Sequence, residues 1–176
     1  MDLMGRFARM RGARALLLVL GLVLAAVDAW GAPADDHQRG VQAFRRGDVV
    51  GAIAALRPPA QAGHAPSQTL LAFILDRADF AEEAARLYQA AAEQDDPEGH
   101  AGLANAYLTG RGIAKDEKRA WQHFSKAAEL GHLSSIEVVA NAHAKGQFGL
   151  AVNAAKAQEW RQRATARMAA SAPAAR

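Results

Sequence analysis

Small residues recur along this chain at spacings that stacked helical pairs explain. Gly40, Ala72, Ala104 and Ala140 each sit on a stretch of helical apolar periodicity, and Ala52, Ala84, Ala120 and Ala157 each sit on the next such stretch. The steps from Ala52 to Ala72, from Ala84 to Ala104 and from Ala120 to Ala140 are each 20 residues, whereas the steps inside successive pairs are 12, 12, 16 and 17. One spacing is constant. The other grows only where Gly110-Arg111-Gly112 and Gly146-Gln147-Phe148-Gly149 are inserted. The chain therefore reads as a repeat with an invariant joint between units and a variable loop within them. Small residues at these positions let helix axes approach closely, and a large side chain at Ala104 or Ala120 is expected to cost about 1–3 kcal/mol by overpacking.

The most complete unit spans residues 96–132. Asp96-Pro97-Glu98 is a helix start, with an N-cap acceptor, a proline whose missing N–H costs nothing at the first position, and an acid at the positive end of the dipole. A first helix to about Leu108 is stopped by Thr109 to Gly112, because glycine accepts a left-handed cap. Asp116 then caps a second helix carrying Ala120, Trp121, Phe124, Ala127 and Ala128 down to Gly131.

The flanking units are variations on this one. Residues 35–62 carry Gly40 and Phe44, a turn at Gly47-Asp48, then Ala52, Ile53 and Leu56, with Pro58-Pro59 expected to end the second helix early. Residues 63–95 carry Leu71, Ala72, Ile74 and Leu75 before a turn, and Ala84, Leu87, Tyr88 and Ala91 after it. Residues 133–168 carry Ile136, Val139, Ala140 and His143, then Ala157, Trp160 and Ala164 on a terminal cap helix. His64, His100 and His132 each follow a glycine and read as one position recurring at the start of successive units. Residues 169–176 offer nothing to bury and are expected to be a disordered tail. No stretch from about residue 33 onward alternates as a strand would.

Leu103-Ala104, Tyr107, Gly110-x-Gly112-Ile113, Asp116, Ala120 and Lys126-Ala127-Ala128 resemble a Sel-one-like repeat, the relative of the tetratricopeptide repeat with a longer Gly-x-Gly inner loop. Ala104 stands where that family favours glycine, and His123-Phe124 where a Trp-Tyr pair is usual. The Gly47-Asp48-x-x-x-Ala52-Ile53-x-x-Leu56 run resembles an ordinary tetratricopeptide unit. The resemblance implies an all-α, right-handed solenoid of about four antiparallel helix pairs, with first helices on the concave side. It also implies that the residue after each small packing residue looks into the groove: Val41, Phe73, Asn105 and Asn141. Asn105 and Asn141 suit an extended peptide, whose backbone needs both a donor and an acceptor, and Glu98, Ala101, Glu137, Lys145 and Arg77 would flank them. The alternative is that both asparagines bond the backbone of the neighbouring repeat.

The amino terminus has the layout of a secretory signal peptide over residues 1–32: Arg6, Arg9, Arg11 and Arg14, then the apolar run Ala15–Val27, then small residues from Ala29 to Ala34. That run of 13 residues is shorter than the roughly 20 needed to span a bilayer, so no stable membrane insertion is expected after leader removal; a retained anchor is the alternative. The protein is expected to be exported, periplasmic or secreted. Removing the leader lowers the basic count from 21 to 17 and the acidic count from 18 to 16, so the high pI does not imply a nucleic-acid partner. The segment from Asp76 to Glu98 nonetheless holds eight acids against Arg77 and Arg86, a polarity that reads either as partner-orienting or as a solvated face. The chain has no cysteine, so helix stacking alone must hold it.

No catalytic constellation emerges. Histidines one repeat apart do not converge on a metal that needs ligands within roughly 2.0–2.3 Å, and no metal or cofactor is expected. The serines sit in no strand-turn-helix elbow, Gly110-Arg111-Gly112 lacks the rest of a phosphate loop, Glu82 and Glu83 are neighbours that point apart on a helix, and Asp95-Asp96 reads as a cap. The reading is a non-catalytic adaptor of the cell envelope, a monomer or weak homo-oligomer, that binds a protein or peptide on its concave face. Cell-wall glycan binding or hydrolysis through the same groove is the alternative, and hydrolysis would need carboxylates about 5–9 Å apart.

Overall fold

The computed structural model describes residues 33–171, whose regular structure is helical throughout. The expected leader, residues 1–32, and residues 172–176 lie outside the described residues. Four helical pairs follow one another: α1 (Pro33–Arg45) with α2 (Val49–Gln61), α3 (Ala65–Arg77) with α4 (Ala81–Ala92), α5 (Pro97–Thr109) with α6 (Glu117–Glu129), and α7 (Leu133–Lys145) with α8 (Ala154–Ser171). Each helix packs on its chain neighbours. The first helices α1 and α3, and α3 and α5, also touch one another, while consecutive second helices make no more than marginal contact. First helices therefore crowd the inner side of the stack, as a concave face requires.

The residues that define the spacing are the packing residues. Ala52, Ala72, Ala104 and Ala120 are fully buried, Ala84, Ala140 and Ala157 are 1% exposed, and a Cβ on Gly40 would lie 2.5 Å from Leu56 Cγ. The buried core forms two clusters, one from Ala43, Leu56 and Leu75 to Tyr107 and Ala120 and one from Ala104 and Phe124 to Ile136 and Val139, and Leu108 and Phe148 pack against both.

The constant joint has one backbone design. Gly63, Asp95 and Gly131 are all left-handed, with φ of 90°, 57° and 90°, and each directly precedes the N-cap of a first helix. In each joint the N-cap amide donates back five residues, from His64 to Pro59 O, from Asp96 to Ala91 O and from His132 to Ala127 O, at 2.9–3.1 Å. That pattern satisfies the last carbonyls of the second helix and sets the entry angle of the next. Inner turns are short at residues 46–48 and 78–80 and longer at 110–116 and 146–153, which accounts for the changing internal step. The longer turns open on Gly110 and Gly146, left-handed C-caps of α5 and α7.

The N-caps expected at Asp96 and Asp116 are present, their carboxylates accepting from Gly99 N at 2.6 Å and Arg119 N at 2.9 Å. Two expectations fail. Pro58 and Pro59 do not end α2, which runs on to Gln61. They remove two ladder donors, but Pro59 and Ala60 are buried against the following helix, and Pro58 O and Pro59 O accept from Ala62 and His64 in the joint, so packing overrides the local cost. Nor do the three histidines share one position. His64 and His132 are N-caps of α3 and α7, whereas the N-cap of α5 is Asp96 and His100 lies one turn inside that helix. At the carboxyl end α8 continues to Ser171, three residues past Met168.

Candidate interaction face

The first helices α3, α5 and α7 each leave one stripe exposed at the same phase; in α1 Val41 is half-buried and Gln38, Arg39 and Gln42 are exposed as well. Counted from the small packing residue, the exposed positions fall one and five residues beyond it and six before it. The position one beyond is occupied by Val41, Phe73, Asn105 and Asn141, the position five beyond by Arg45, Arg77, Thr109 and Lys145, and the position six before by Ala34, Pro66, Glu98 and Ser134. In α7 the stripe also takes in Glu137. Residues three or four apart share a helix face, so all seven candidate residues lie on one continuous inner surface.

Between successive units this surface is indented. A cleft of about 340 Å³ is lined by Phe73 and Asp76 of α3, Ala81 and Tyr88 of α4, and Gly102 and Asn105 of α5, with Arg111 at its edge. A second cleft of about 410 Å³ is lined by Leu108, Glu117, Val138, Asn141, Lys145 and Gln147. These are the repeat equivalents of Asp76, Ala81, Gly102, Asn105, Thr109 and Arg111 one unit earlier, so the two clefts are one feature repeated, with an asparagine at the same place in each. Asn141 also borders a third cleft of about 340 Å³, between α7 and α8, with Glu137, Arg161 and Thr165.

The first cleft is shaped from below. Tyr88 crosses its floor, and a Cβ on Gly102 would lie 2.2 Å from the ring, so Gly102 makes room for the tyrosine. Burial, reinforced by Asp76 and Glu98, pushes the Tyr88 hydroxyl well above its ordinary range, keeping it a neutral group. Phe73 packs edge-on against Phe44 at 6.0 Å and carries the Arg77 guanidinium 5.6 Å above its ring. Arg111 donates to Asp76 Oδ1 at 3.0 Å, Asp76 O at 2.8 Å and Asp79 Oδ1 at 3.1 Å, fastening the inner loop of one unit to the turn before it. Asn105 Nδ2 donates to Ala101 O in its own helix at 3.1 Å, and Asn141 makes no side-chain hydrogen bond among the described residues. Neither amide bonds the neighbouring repeat there.

Glu98 lies away from the clefts. It meets His132 Nε2 at 3.2 Å, and this contact holds its carboxyl below the usual range. It is one of a series of bonds between units: Arg57 donates to Glu83 at 2.6 Å, Thr69 to Asp96 at 2.9 Å, and Lys126 to Asp95 at 2.9 Å. Most carboxylates of the acidic segment are thus engaged between units while several stay largely exposed, Asp79 at 90%, Asp95 at 64% and Glu98 at 65%. Exposed pairs of this kind are weak, so together they select register more than they stabilise.

The histidines form two buried contacts outside the stripe. His37 Nδ1 and His64 Nδ1 lie 3.0 and 2.8 Å from Ser67 Oγ, and Ser67 is fully buried, a clasp between units rather than a nucleophile that a substrate can reach. His100 Nδ1 and His123 Nδ1 are 3.0 Å apart, so one ring donates and the other accepts; Tyr107 stacks on His123 at 5.7 Å, and Arg119 donates to the Tyr107 hydroxyl at 3.1 Å. The histidine contact within this unit joins His100 to His123 of the second helix, a pairing that the repeat-phase reading of His64, His100 and His132 did not address. Among the described residues no three of these ligand types gather around a point that could hold a metal.

Sequence reasoning overlooked Arg45, Tyr88 and Gly102. Arg45 follows Gly40 by the same five residues that separate Ala72 from Arg77 and Ala140 from Lys145, and counting phase would have found it. The meeting of Tyr88 with Gly102 has no local signal.

A family model for the Sel1 repeat matches residues 76–96, 97–132 and 138–167. An uncharacterized protein of Neisseria meningitidis serogroup B is 34% identical over 141 residues, 77% of this chain and 30% of its own length. A Sel1 repeat protein from Oxalobacter formigenes superposes with a TM-score of 0.71 at 20% identity, covering 82% of this chain and 59% of that one. The protective antigen c5321 of uropathogenic Escherichia coli strains, which displays an SLR fold, gives 0.70 at 22% identity, covering 82% and 32%. This chain thus spans 30–59% of the length of these three relatives. The matched repeats, the shared stack of helical pairs and the constant joint place the chain in the Sel1-repeat family.

Proposed function

We propose that this protein is a non-catalytic interaction module that receives a protein segment along the inner stripe of its first helices, and that it works in the cell envelope after export. The observation that carries the reading is the repeated cleft with Asn105 and Asn141 at equivalent places, since a recurring amide suits a recurring peptide backbone. Membership of a family of interaction scaffolds supports it, and the leader pattern supports the location. Glycan hydrolysis is less well served. The lining of each cleft includes a single carboxylate, Asp76, Glu117 or Glu137, and the first two are tied to Arg111 and Lys115, whereas hydrolysis calls for a facing pair.

The test is affinity capture from envelope extract with the native protein beside an Asn105→Ala, Asn141→Ala variant of unchanged helicity. A partner held by the first and lost by the second supports the inner face. A partner held equally by both moves the site elsewhere, and capture of glycan in place of protein favours the alternative.

A further inference from the structure

We infer that the segment received by the inner stripe is an acidic, extended peptide whose carboxylates fall at multiples of about three residues. The inference rests on the inner face being the binding face and adds the chemistry of what it binds. Five residues beyond each packing residue stand Arg45, Arg77, Thr109 and Lys145, all exposed. They lie one helical turn from Val41, Phe73, Asn105 and Asn141, so the cations and the amides share one surface. Arg45, Arg77 and Lys145 have no ion pair among the described residues. Other cations are paired, Arg57 with Glu83, Arg111 with Asp76, Arg119 with Asp116 and Lys126 with Asp95. Arg46, Arg86, Lys118, Lys156, Arg161 and Arg167 also lack an ion pair among the described residues, but none of them stands at this repeat position, so it is the alignment of the row on one face that sets it apart.

The row stays unanswered because no acid of this protein reaches it. Asp76 and Glu117, on the cleft walls, are taken by Arg111 and Lys115, and Glu98 and Glu137 lie toward the opposite ends of their helices. Arg77 is further held in place over Phe73, which lowers the entropy it would lose on meeting a carboxylate. From residue 33 onward the chain is close to neutral, 17 bases against 16 acids, so the row is a local arrangement and not a sample of an overall basic surface. A ligand supplying carboxylates answers it. Packed helices lie about 8–10 Å apart; α1, α3 and α5, which touch in succession, approach that spacing, and the repeat extends it to α7. An extended polyproline-type chain advances about 3.1 Å per residue with three residues per turn. Every third side chain therefore returns to one side after about 9 Å. Arg45 and Arg77 are one unit apart and Lys145 two units further, which calls for acids at i, i+3 and i+9.

The experiment is fluorescence anisotropy of the purified protein with three labelled decapeptides that differ only at those three positions, carrying Glu, Gln or Lys, with proline and alanine between. The Glu peptide is expected to bind about tenfold tighter than the Gln peptide at low salt, the combined effect of three exposed ion pairs, and to weaken as salt is added. The Arg45→Glu, Arg77→Glu, Lys145→Glu protein should reverse the preference toward the Lys peptide, an outcome that unfolding cannot imitate. Equal binding of the Glu and Gln peptides overturns the inference, as does acidic-peptide binding that survives charge reversal, or tighter binding of a single-stranded oligonucleotide. If the Gln peptide binds as well as the Glu peptide and both are lost with Asn105→Ala, Asn141→Ala, the inner face stands and only the acidic ligand falls. Binding of none of the three peptides also overturns it, and the capture experiment then decides the inner-face reading independently.

Discussion

Gly110 and Gly112 stand two residues apart in the same inner loop, with φ of 77° and 67°, yet replacing them with alanine should have unequal consequences. At Gly110 a new Cβ would find Lys115 Cβ at 3.4 Å as its nearest neighbour, so the cost is the left-handed backbone alone, about 1–2 kcal/mol. At Gly112 the same strain applies, and the Cβ would also lie 2.0 Å from Ala81 O, 2.3 Å from Ala81 C and 2.7 Å from Glu82 N. These are backbone atoms at the start of α4 and cannot rotate aside. The loop must lift away, drawing Arg111 from Asp76 and Asp79 and Ile113 from the core it packs against. Overpacking of this kind costs about 1–3 kcal/mol beyond the strain, so Gly112→Ala should lose about 2–5 kcal/mol in all. Urea unfolding followed by circular dichroism measures both variants, and Arg111→Ala gives the share due to the ion pairs. Losses at Gly110 and Gly112 that agree within about 0.5 kcal/mol would show that the loop does not press on the preceding unit.

Other consequences follow from the same contacts. Ala104→Leu, at a fully buried packing site, should cost about 1–3 kcal/mol, while Asn105→Ala beside it, exposed and bonded only within its helix, should change stability by no more than about 0.5 kcal/mol; equal effects would contradict the assignment of faces. Burial holds His37, His100 and His123 below their ordinary value of 6.5. The unfolded chain therefore takes up protons first, so the contribution of these neutral rings to stability is complete above pH 6.5 and is lost as the pH falls through it toward the lowered values. Tm should drop over that window, and His100→Gln, which places in α5 the residue that α3 carries as Gln68, should flatten the drop; a Tm independent of pH there would refute it. Removing α8 uncovers Val139 and Ile136 in the last core cluster and should destabilise the whole stack, since neighbouring units share their stability. A truncated protein that melts with the parent would contradict that coupling.

What could be read from the residues was whatever a repeat must keep constant. The packing positions were legible because an eightfold pattern of small residues has no other economical explanation, and the caps at Asp96 and Asp116 because a side chain capping its own helix is a local event. Contacts between distant segments were not legible. Nothing near Asp95 announces Lys126, and nothing near Gly102 announces Tyr88, because each pairing depends on the register of stacked helices. Pro58-Pro59 misled for the opposite reason: the local rule is sound, but the joint closes on the carbonyls of those prolines and packing decides. His100 misled because Gly99, unlike Gly63 and Gly131, lies inside a helix and marks no turn. Phe73, Arg77, Asn105, Asn141 and Lys145 share one exposed phase of the first helices, because position in the repeat fixes orientation, and Arg45 in the degenerate first unit shares the phase of Arg77 and Lys145.

The most direct examination of the inner face is site-specific photo-cross-linking in cells, with a benzophenone amino acid placed singly at Asn105, at Asn141, and at Gln89 and Gln122, exposed positions on the second helices α4 and α6. Cross-links to one partner from Asn105 and Asn141, with none from Gln89 and Gln122, are the predicted result. Cross-links that form from Gln89 or Gln122 and are absent from both asparagines would place the binding surface on the outer helices and contradict it.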